Sequence, residues 1–183
     1  MGVKPIIPWL TIPNEAICAE IGVWKGNFSG RILRTGRVKE LHLIDPWTFR
    51  PEFPNRLYGG SSGRDQANMD AIAESVRQKF QSSPNVHIHR GKSLDIVQQF
   101  PDRYFDWVYI DGDHSYEAAL DDLIAWYPKV KAGHLICVDD YSWRDEVGRK
   151  SVKSAIERFL ALHPICRARR LVGQFTLRVA PAR

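Results

Sequence analysis

Five residues in the second half of the chain carry the chemistry most worth testing. Asp111 and Asp113 flank Gly112 in Ile110-Asp111-Gly112-Asp113-His114, and Asp139-Asp140 follow further on. Each acidic pair ends an apolar, β-rich run, Tyr104 to Ile110 before the first and His134 to Val138 before the second. If those runs are neighbouring parallel strands, their carboxyl ends bring Asp111, Asp139 and Asp140 together. Carboxylates crowded in that way either raise a pKa or draw in a cation. Oxygen ligands with room for water suit Mg²⁺, Mn²⁺ or Ca²⁺ better than Zn²⁺. A cation there can bind an acceptor hydroxyl and lower its pKa. Asp113, or His114 beside it, can then take the proton. The plainer alternative is structural: Asp111 and Asp113 cap a helix beginning near Ser115, and Asp139-Asp140 cap a turn.

The rest of the chain supplies elements that could place these residues. Short apolar runs also occur at Ala16 to Ile21, Val38 to Ile44 and Val86 to His89. Two late runs, Cys166 to Val172 and Phe175 to Val179, flank Gly173-Gln174, which suits a tight hairpin. Helical stripes lie between the runs: Met69, Ile72, Ala73, Val76 and Phe80; Tyr116, Ala119, Leu120, Leu123 and Ile124; Val152, Ala155, Ile156, Phe159 and Leu160. Strands alternating with helices predict an α/β, Rossmann-like fold. Its sheet would be mostly parallel and seven-stranded, with a C-terminal antiparallel hairpin and helices on both faces. Ligands of such sheets bind outside the carboxyl ends of the strands.

Other strand ends fit that placement. Glu20-Ile21-Gly22-Val23-Trp24-Lys25-Gly26 follows the first strand, and its glycines allow a tight turn with close ligand approach. The helix after it would offer N–H groups to a ligand. Asp45 ends the second strand, where a carboxylate can accept from both hydroxyls of a ribose. Arg90-Gly91-Lys92-Ser93 ends the third, within reach of an adenine edge. A dinucleotide fingerprint would have a second glycine where Trp24 stands, so a cofactor without a pyrophosphate fits better.

The chain has 183 residues and a net charge of +5, which suits a single domain over 1–183. Basic residues are scattered apart from Arg167, Arg169 and Arg170, so no nucleic-acid partner is expected. Cys18, Cys137 and Cys166 are too few and too far apart for a disulfide framework. No apolar run approaches a membrane span, and no secretory leader is evident, which gives a cytoplasmic location as the default expectation. His42, His87 and His89 sit in strand patterns and read as structural. Residues 46–63 hold Trp47, Phe49, Phe53 and Tyr58 among prolines and glycines, and form either an active-site loop or an ordered flap.

The glycine turn, the acidic second strand end and Phe105-Asp106-Trp107-Val108-Tyr109-Ile110-Asp111-Gly112-Asp113-His114-Ser115-Tyr116-Glu117 together resemble the class I S-adenosylmethionine-dependent methyltransferases. The nearest subgroup is the bacterial macrocin-type and aminocoumarin-type sugar O-methyltransferases. The likeness runs from about Ala16 to Phe159, and Trp24 departs from the commoner glycine at its position. It implies that Glu20, Gly22 and Gly26 surround the methionine moiety of the cofactor. Asp45 would hold the ribose, Ser93 would lie by the adenine, and Asp111 would face the transferred methyl. It further implies metal ligation by Asp111, Asp139 and Asp140, with Asp113 as base and a hydroxylated small molecule such as a sugar or glycoside as acceptor. About fifteen residues precede the first strand, fewer than in many such proteins. The pocket is then open, completed by loop 46–63, or completed by a second subunit in a homodimer. Two other readings compete. Asp111-Gly112-Asp113 imitates the metal-binding motif of nucleotide-sugar glycosyltransferases, and a methyltransferase-like fold can serve as a non-catalytic binding domain. Some proteins resembling the subgroup are cephalosporin hydroxylase-like, so fold alone does not fix methyl transfer.

Overall fold

The structure is a computed structural model and describes residues 8–163, 167–171 and 173–180. In chain order the elements are β1 (Ala16–Ile21), α1 (Asn27–Leu33), β2 (Val38–Asp45), α2 (Gln66–Phe80), β3 (Val86–Arg90), α3 (Ser93–Ile96), β4 (Phe105–Ile110), α4 (Tyr116–Trp126), β5 (Val130–Val138), α5 (Ser151–Leu162), β6 (Arg167–Leu171) and β7 (Gln174–Arg178). One seven-stranded sheet has the order β3-β2-β1-β4-β5-β7-β6. The first five strands are parallel, and β7 runs antiparallel between β5 and β6. The expected Rossmann-like fold is therefore present. No helix among the described residues is long and apolar enough to cross a membrane.

The alternation of side chains along the strands divides the core into two layers. Val108 and Ile110 of β4 face α3, α4 and α5, in a cluster with Trp126, Ile156 and Phe159. Trp107 and Tyr109 face α1 and α2, among Phe28, Ile32, Met69 and Val76. The stripes on α2 and α5 bury as their spacing predicts, with Leu160 only partly covered. On α4 the buried face is rotated: Ala119, Asp122, Leu123 and Trp126 point inward, whereas Ile124 is exposed. Cys18 and Cys137 are buried free thiols, which burial pushes up in pKa. Cys166 lies outside the described residues.

Two local features differ from the sequence expectation. Gln174 opens β7, opposite Leu171, instead of sitting in the turn; its side chain is fully buried and donates to the Tyr109 hydroxyl at 2.8 Å. Ser115 is the N-cap of α4, accepting from Ala118 N, and Asp113 braces it from outside by accepting from Ser115 N at 2.8 Å. Asp113 thus takes part of the capping role that was the plainer alternative.

The carboxyl edge is packed backbone to backbone. Gly22 has φ +87°, and a Cβ placed there would stand 2.0 Å from the Asp111 carbonyl oxygen. Gly22→Ala combines a left-handed backbone with that overlap. It is expected to destabilise the chain by at least about 2 kcal/mol. Urea unfolding of the variant beside the wild type measures this.

Candidate active site

Gly22, Asp111 and Asp139 follow directly on β1, β4 and β5, and Asp45 is the last residue of β2. The parallel ladder continues past those ends, with Gly22 N donating to Ile44 O, Asp111 N to Ile21 O and Asp139 N to Ile110 O, all at 2.8–2.9 Å. The expected acidic residues therefore do converge on one edge.

Asp111, His114 and Asp140 form its centre. One ligand atom from each lies within 4.8 Å of the others. His114 Nε2 stands 3.3 Å from Asp140 Oδ2 and 3.6 Å from Asp111 Oδ1, and it has no hydrogen-bond partner among the described residues. Burial works to lower the His114 pKa, but Asp111, Asp140 and Asp113 hold it above its ordinary value. Asp140 sits at φ +54°, a left-handed conformation that aspartate tolerates better than most residues. Asp139 is buried behind this group, with its carboxylate beside the Tyr109 hydroxyl. It is not among the three residues whose ligand atoms converge.

Asp113 faces elsewhere. Its Oδ2 receives Arg50 Nη1 at 3.2 Å, and Arg56 Nη1 lies 3.7 Å from Oδ1. Burial works to raise its carboxyl, but the Ser115 N–H and the two guanidinia hold it below the ordinary value. A carboxylate so stabilised is a weak proton acceptor. Sequence reasoning did not select Arg50 or Arg56, because nothing local marks a loop arginine that pairs with a residue far along the chain.

The cofactor-side residues have definite neighbours too. Asp45 is fully buried; Oδ2 accepts from Val23 N and Trp24 N at 2.9 Å each, and Oδ1 from Trp47 N at 2.7 Å. The Tyr58 hydroxyl also donates to Oδ2. Burial pushes the Asp45 carboxyl up against these hydrogen bonds. Trp24 holds φ +53°, a left-handed conformation that glycine adopts without strain; its carbonyl accepts from Trp47 Nε1 at 2.9 Å. Glu20 is buried and accepts from Ser29 Oγ at 2.6 Å. Gly26 is the left-handed N-cap of α1, and a Cβ there would meet Phe80 at 2.8 Å. Ser93 Oγ accepts from Trp126 Nε1 at 2.7 Å.

Loop 46–63 spans both halves. Trp47 anchors it in the core, Tyr58 packs on Trp24 with ring centroids 5.0 Å apart, and Arg56 lies over Trp143. Trp143 in turn rests against His114 at 5.2 Å between centroids, while Tyr141 turns away to stack on Phe175. A cleft of ≈ 660 Å³ opens beside His114. Its wall sets Glu52, Glu117, Asp145 and Glu146 against Arg56 and Arg149, so it does not favour a polyanionic occupant.

Residues 19–141 match the family model described as a methyltransferase domain. An uncharacterised protein of Acanthamoeba polyphaga mimivirus is 24% identical over 140 residues, a stretch that covers 73% of this chain and 57% of that protein. The chain thus spans little more than half the length of that curated relative. Among solved structures, the O-methyltransferase from Bacillus cereus in complex with SAH is similar at a TM-score of 0.66 and 16% identity, covering 97% of this chain and 82% of that one. Spermidine synthase from Thermotoga maritima is similar at 0.62 and 16% identity, covering 97% and 58%. At these identities the likeness to both structures is one of fold.

Asp122 provides a pH test of the edge. It is 5% exposed, and a Cβ on Gly112 would lie 3.3 Å from its Oδ2. Burial pushes its carboxyl up to about 6, against a hydrogen bond from Ser93. The folded chain therefore holds a proton that the unfolded chain releases near pH 4. The group's stabilising contribution is full below that pH and is lost as pH rises through about 6, a loss of roughly 3 kcal/mol. Asp122→Asn is expected to be more stable than wild type above pH 6 by an amount of that order, and no more stable at pH 4. Urea unfolding across pH 4–7.5 reads the difference.

Proposed function

The chain belongs to the methyltransferase-domain family, and from that premise we propose that it transfers the methyl group of S-adenosylmethionine to a hydroxyl oxygen of a small acceptor, assisted by a divalent cation. The observation that carries the proposal is the convergence of Asp111, His114 and Asp140 beside the Gly22 turn. A sugar or glycoside is the acceptor class that agrees with a cleft whose wall is richer in carboxylates than in guanidinia.

The donor set fits a cation. Two carboxylates and a buried imidazole nitrogen without a hydrogen-bond partner are a usual ligand group for Mn²⁺, and Mg²⁺ is compatible with the carboxylates. Bound there, the ion would lower the pKa of an acceptor hydroxyl and fix its oxygen. S-adenosylmethionine brings the reactive methyl group, so the protein's part is position and electrostatics. Asp111 and Asp140 supply negative charge at the strand ends, and His114 supplies the third donor. Asp139, expected as a ligand, contributes charge from behind in this reading. Asp113 holds loop 46–63 through Arg50 and Arg56 and does not serve as the base. The methionine moiety would lie at the Gly22 turn, with Glu20 and Gly26 shaping it from beneath. Asp45 is proposed to meet the ribose after the Tyr58 hydroxyl gives up its place, and Ser93 lies on the adenine side.

A second reading dispenses with the metal. Flanking carboxylates hold the His114 pKa above its ordinary value, and an imidazole so placed can itself accept the hydroxyl proton.

Calorimetry with S-adenosylmethionine, with and without Mn²⁺, tests the primary reading. Cofactor binding at micromolar Kd is expected, and absence of binding would overturn it. Asp140→Asn should weaken Mn²⁺ at least about tenfold and lower S-adenosylhomocysteine release from a glycoside panel roughly 100-fold. Release that survives a chelator but is lost in His114→Asn favours the second reading. Tyr58→Phe removes the hydroxyl that competes for Asp45, and a severalfold tighter Kd for the cofactor is expected. A weaker one would mean that Tyr58 helps to hold it.

A further inference from the structure

A second group of metal-ligating side chains lies away from the carboxyl edge. Glu40 and His42 point to one face of β2, and His87 stands opposite His42 on β3, the edge strand of the sheet. Ligand atoms of the three lie within 4.8 Å of one another. The sequence concealed this, because each histidine alone reads as an ordinary strand residue; only the parallel register brings His42 and His87 together.

His42 is the telling member. Its side chain is 8% exposed, yet Nε2 has no hydrogen-bond partner among the described residues and faces Glu40 Oε2 at 3.7 Å. A buried ring nitrogen without a partner is unusual and calls for an explanation. The opposite nitrogen is provided for: Nδ1 lies 3.0 Å from His89 Nε2. That is the arrangement of a metal-ligating imidazole, whose second ring nitrogen is oriented by a neighbour. When His42 Nδ1 donates to His89, the lone pair of Nε2 is directed at the Glu40 side. Glu40 is held as well, accepting from the Tyr104 hydroxyl at 3.1 Å. Phe100 and Phe105 meet the His42 ring edge-on and fix its plane.

We propose that Glu40, His42 and His87 bind a transition-metal ion of the zinc class, which fastens the edge strand β3 to β2. Two imidazole nitrogens and one carboxylate oxygen are donors that suit Zn²⁺ and disfavour Mg²⁺ or Ca²⁺. A tetrahedral ion with bonds of about 2.1 Å needs donors about 3.4 Å apart. The His42–Glu40 pair is close to that separation, and a ligand atom of the exposed His87 lies within 4.8 Å of both. The fourth position faces solvent on the His87 side. Stacking of the His42 and His87 rings, with centroids 4.8 Å apart, accounts for their packing but not for the unpartnered nitrogen.

The test keeps this site apart from the carboxyl edge by using an Asp111→Asn/Asp140→Asn background. The metal-stripped full chain carrying those changes is titrated with ZnCl₂ in a calorimeter, and separately with Co²⁺ in the visible range. One equivalent of Zn²⁺ and an intense tetrahedral Co²⁺ band are expected. His87→Ala, at an exposed position, should weaken Zn²⁺ at least tenfold and abolish the band while circular dichroism stays unchanged. Glu40→Gln should weaken it as well. No Zn²⁺ equivalent in that background, or equal affinity in His87→Ala, overturns the proposal.

Discussion

The site depends on a backbone constraint, the continuation of the parallel ladder one residue beyond each strand. Gly91 N reaches Asp45 O, Gly22 N reaches Ile44 O, Asp111 N reaches Ile21 O and Asp139 N reaches Ile110 O. Each of these residues is held by a strand neighbour before its side chain makes any contact. Their relative positions therefore follow from strand order and register alone. That is why the chain needs a glycine at 22: the ladder draws the β1 and β4 termini so close that a single Cβ would overlap the Asp111 carbonyl. The same closeness brings carboxylates from β4 and β5 to one centre.

Asp45 applies a second constraint. Its carboxylate gathers the N–H groups of Val23, Trp24 and Trp47, so the end of β2 fixes both the glycine turn and the start of loop 46–63. The loop then crosses to the end of β4, where Arg50 and Arg56 meet Asp113. Those ion pairs are partly exposed, and pairs of that kind contribute about 0–1 kcal/mol each. Trp47, which is fully buried, contributes more by burial, on the order of 2–3 kcal/mol for a side chain of its size. The loop is thus fixed at its base by Trp47 and held weakly at its tip, a distribution that suits a segment able to lift from Asp45 and Asp113 without unfolding.

Features that repeat along the chain were legible in the sequence. The strand cores, the stripes on α2 and α5 and the acidic strand ends all follow from spacing and residue type. What escaped required partners distant in sequence. On α4 the apolar pattern points to Ile124, but the helix turns Asp122 and Trp126 inward, toward Ser93. Gln174 looks like a turn residue until Tyr109 is seen waiting for its amide. Asp45 reads as a ligand contact in the sequence, whereas in the structure its acceptor capacity is largely taken by the protein's own N–H groups. The sequence offers Asp113 as the base, with His114 beside it as the alternative. Loop arginines meet Asp113 and carboxylates surround His114, contacts between distant residues that no local pattern reveals.

The charges at the edge explain why these parts belong together. Four carboxylates, from Asp111, Asp113, Asp139 and Asp140, gather at the ends of β4 and β5. Arg50 and Arg56 balance Asp113, and they arrive only with the loop in place. His114 faces Asp111 and Asp140, and these surroundings bias it toward the protonated form. Under the proposed function, a divalent cation held by Asp111, His114 and Asp140 would release the His114 proton, because a ligating imidazole must be neutral. Loop and imidazole are thus two answers to one electrostatic problem, posed by a register that places acidic residues at adjoining strand ends.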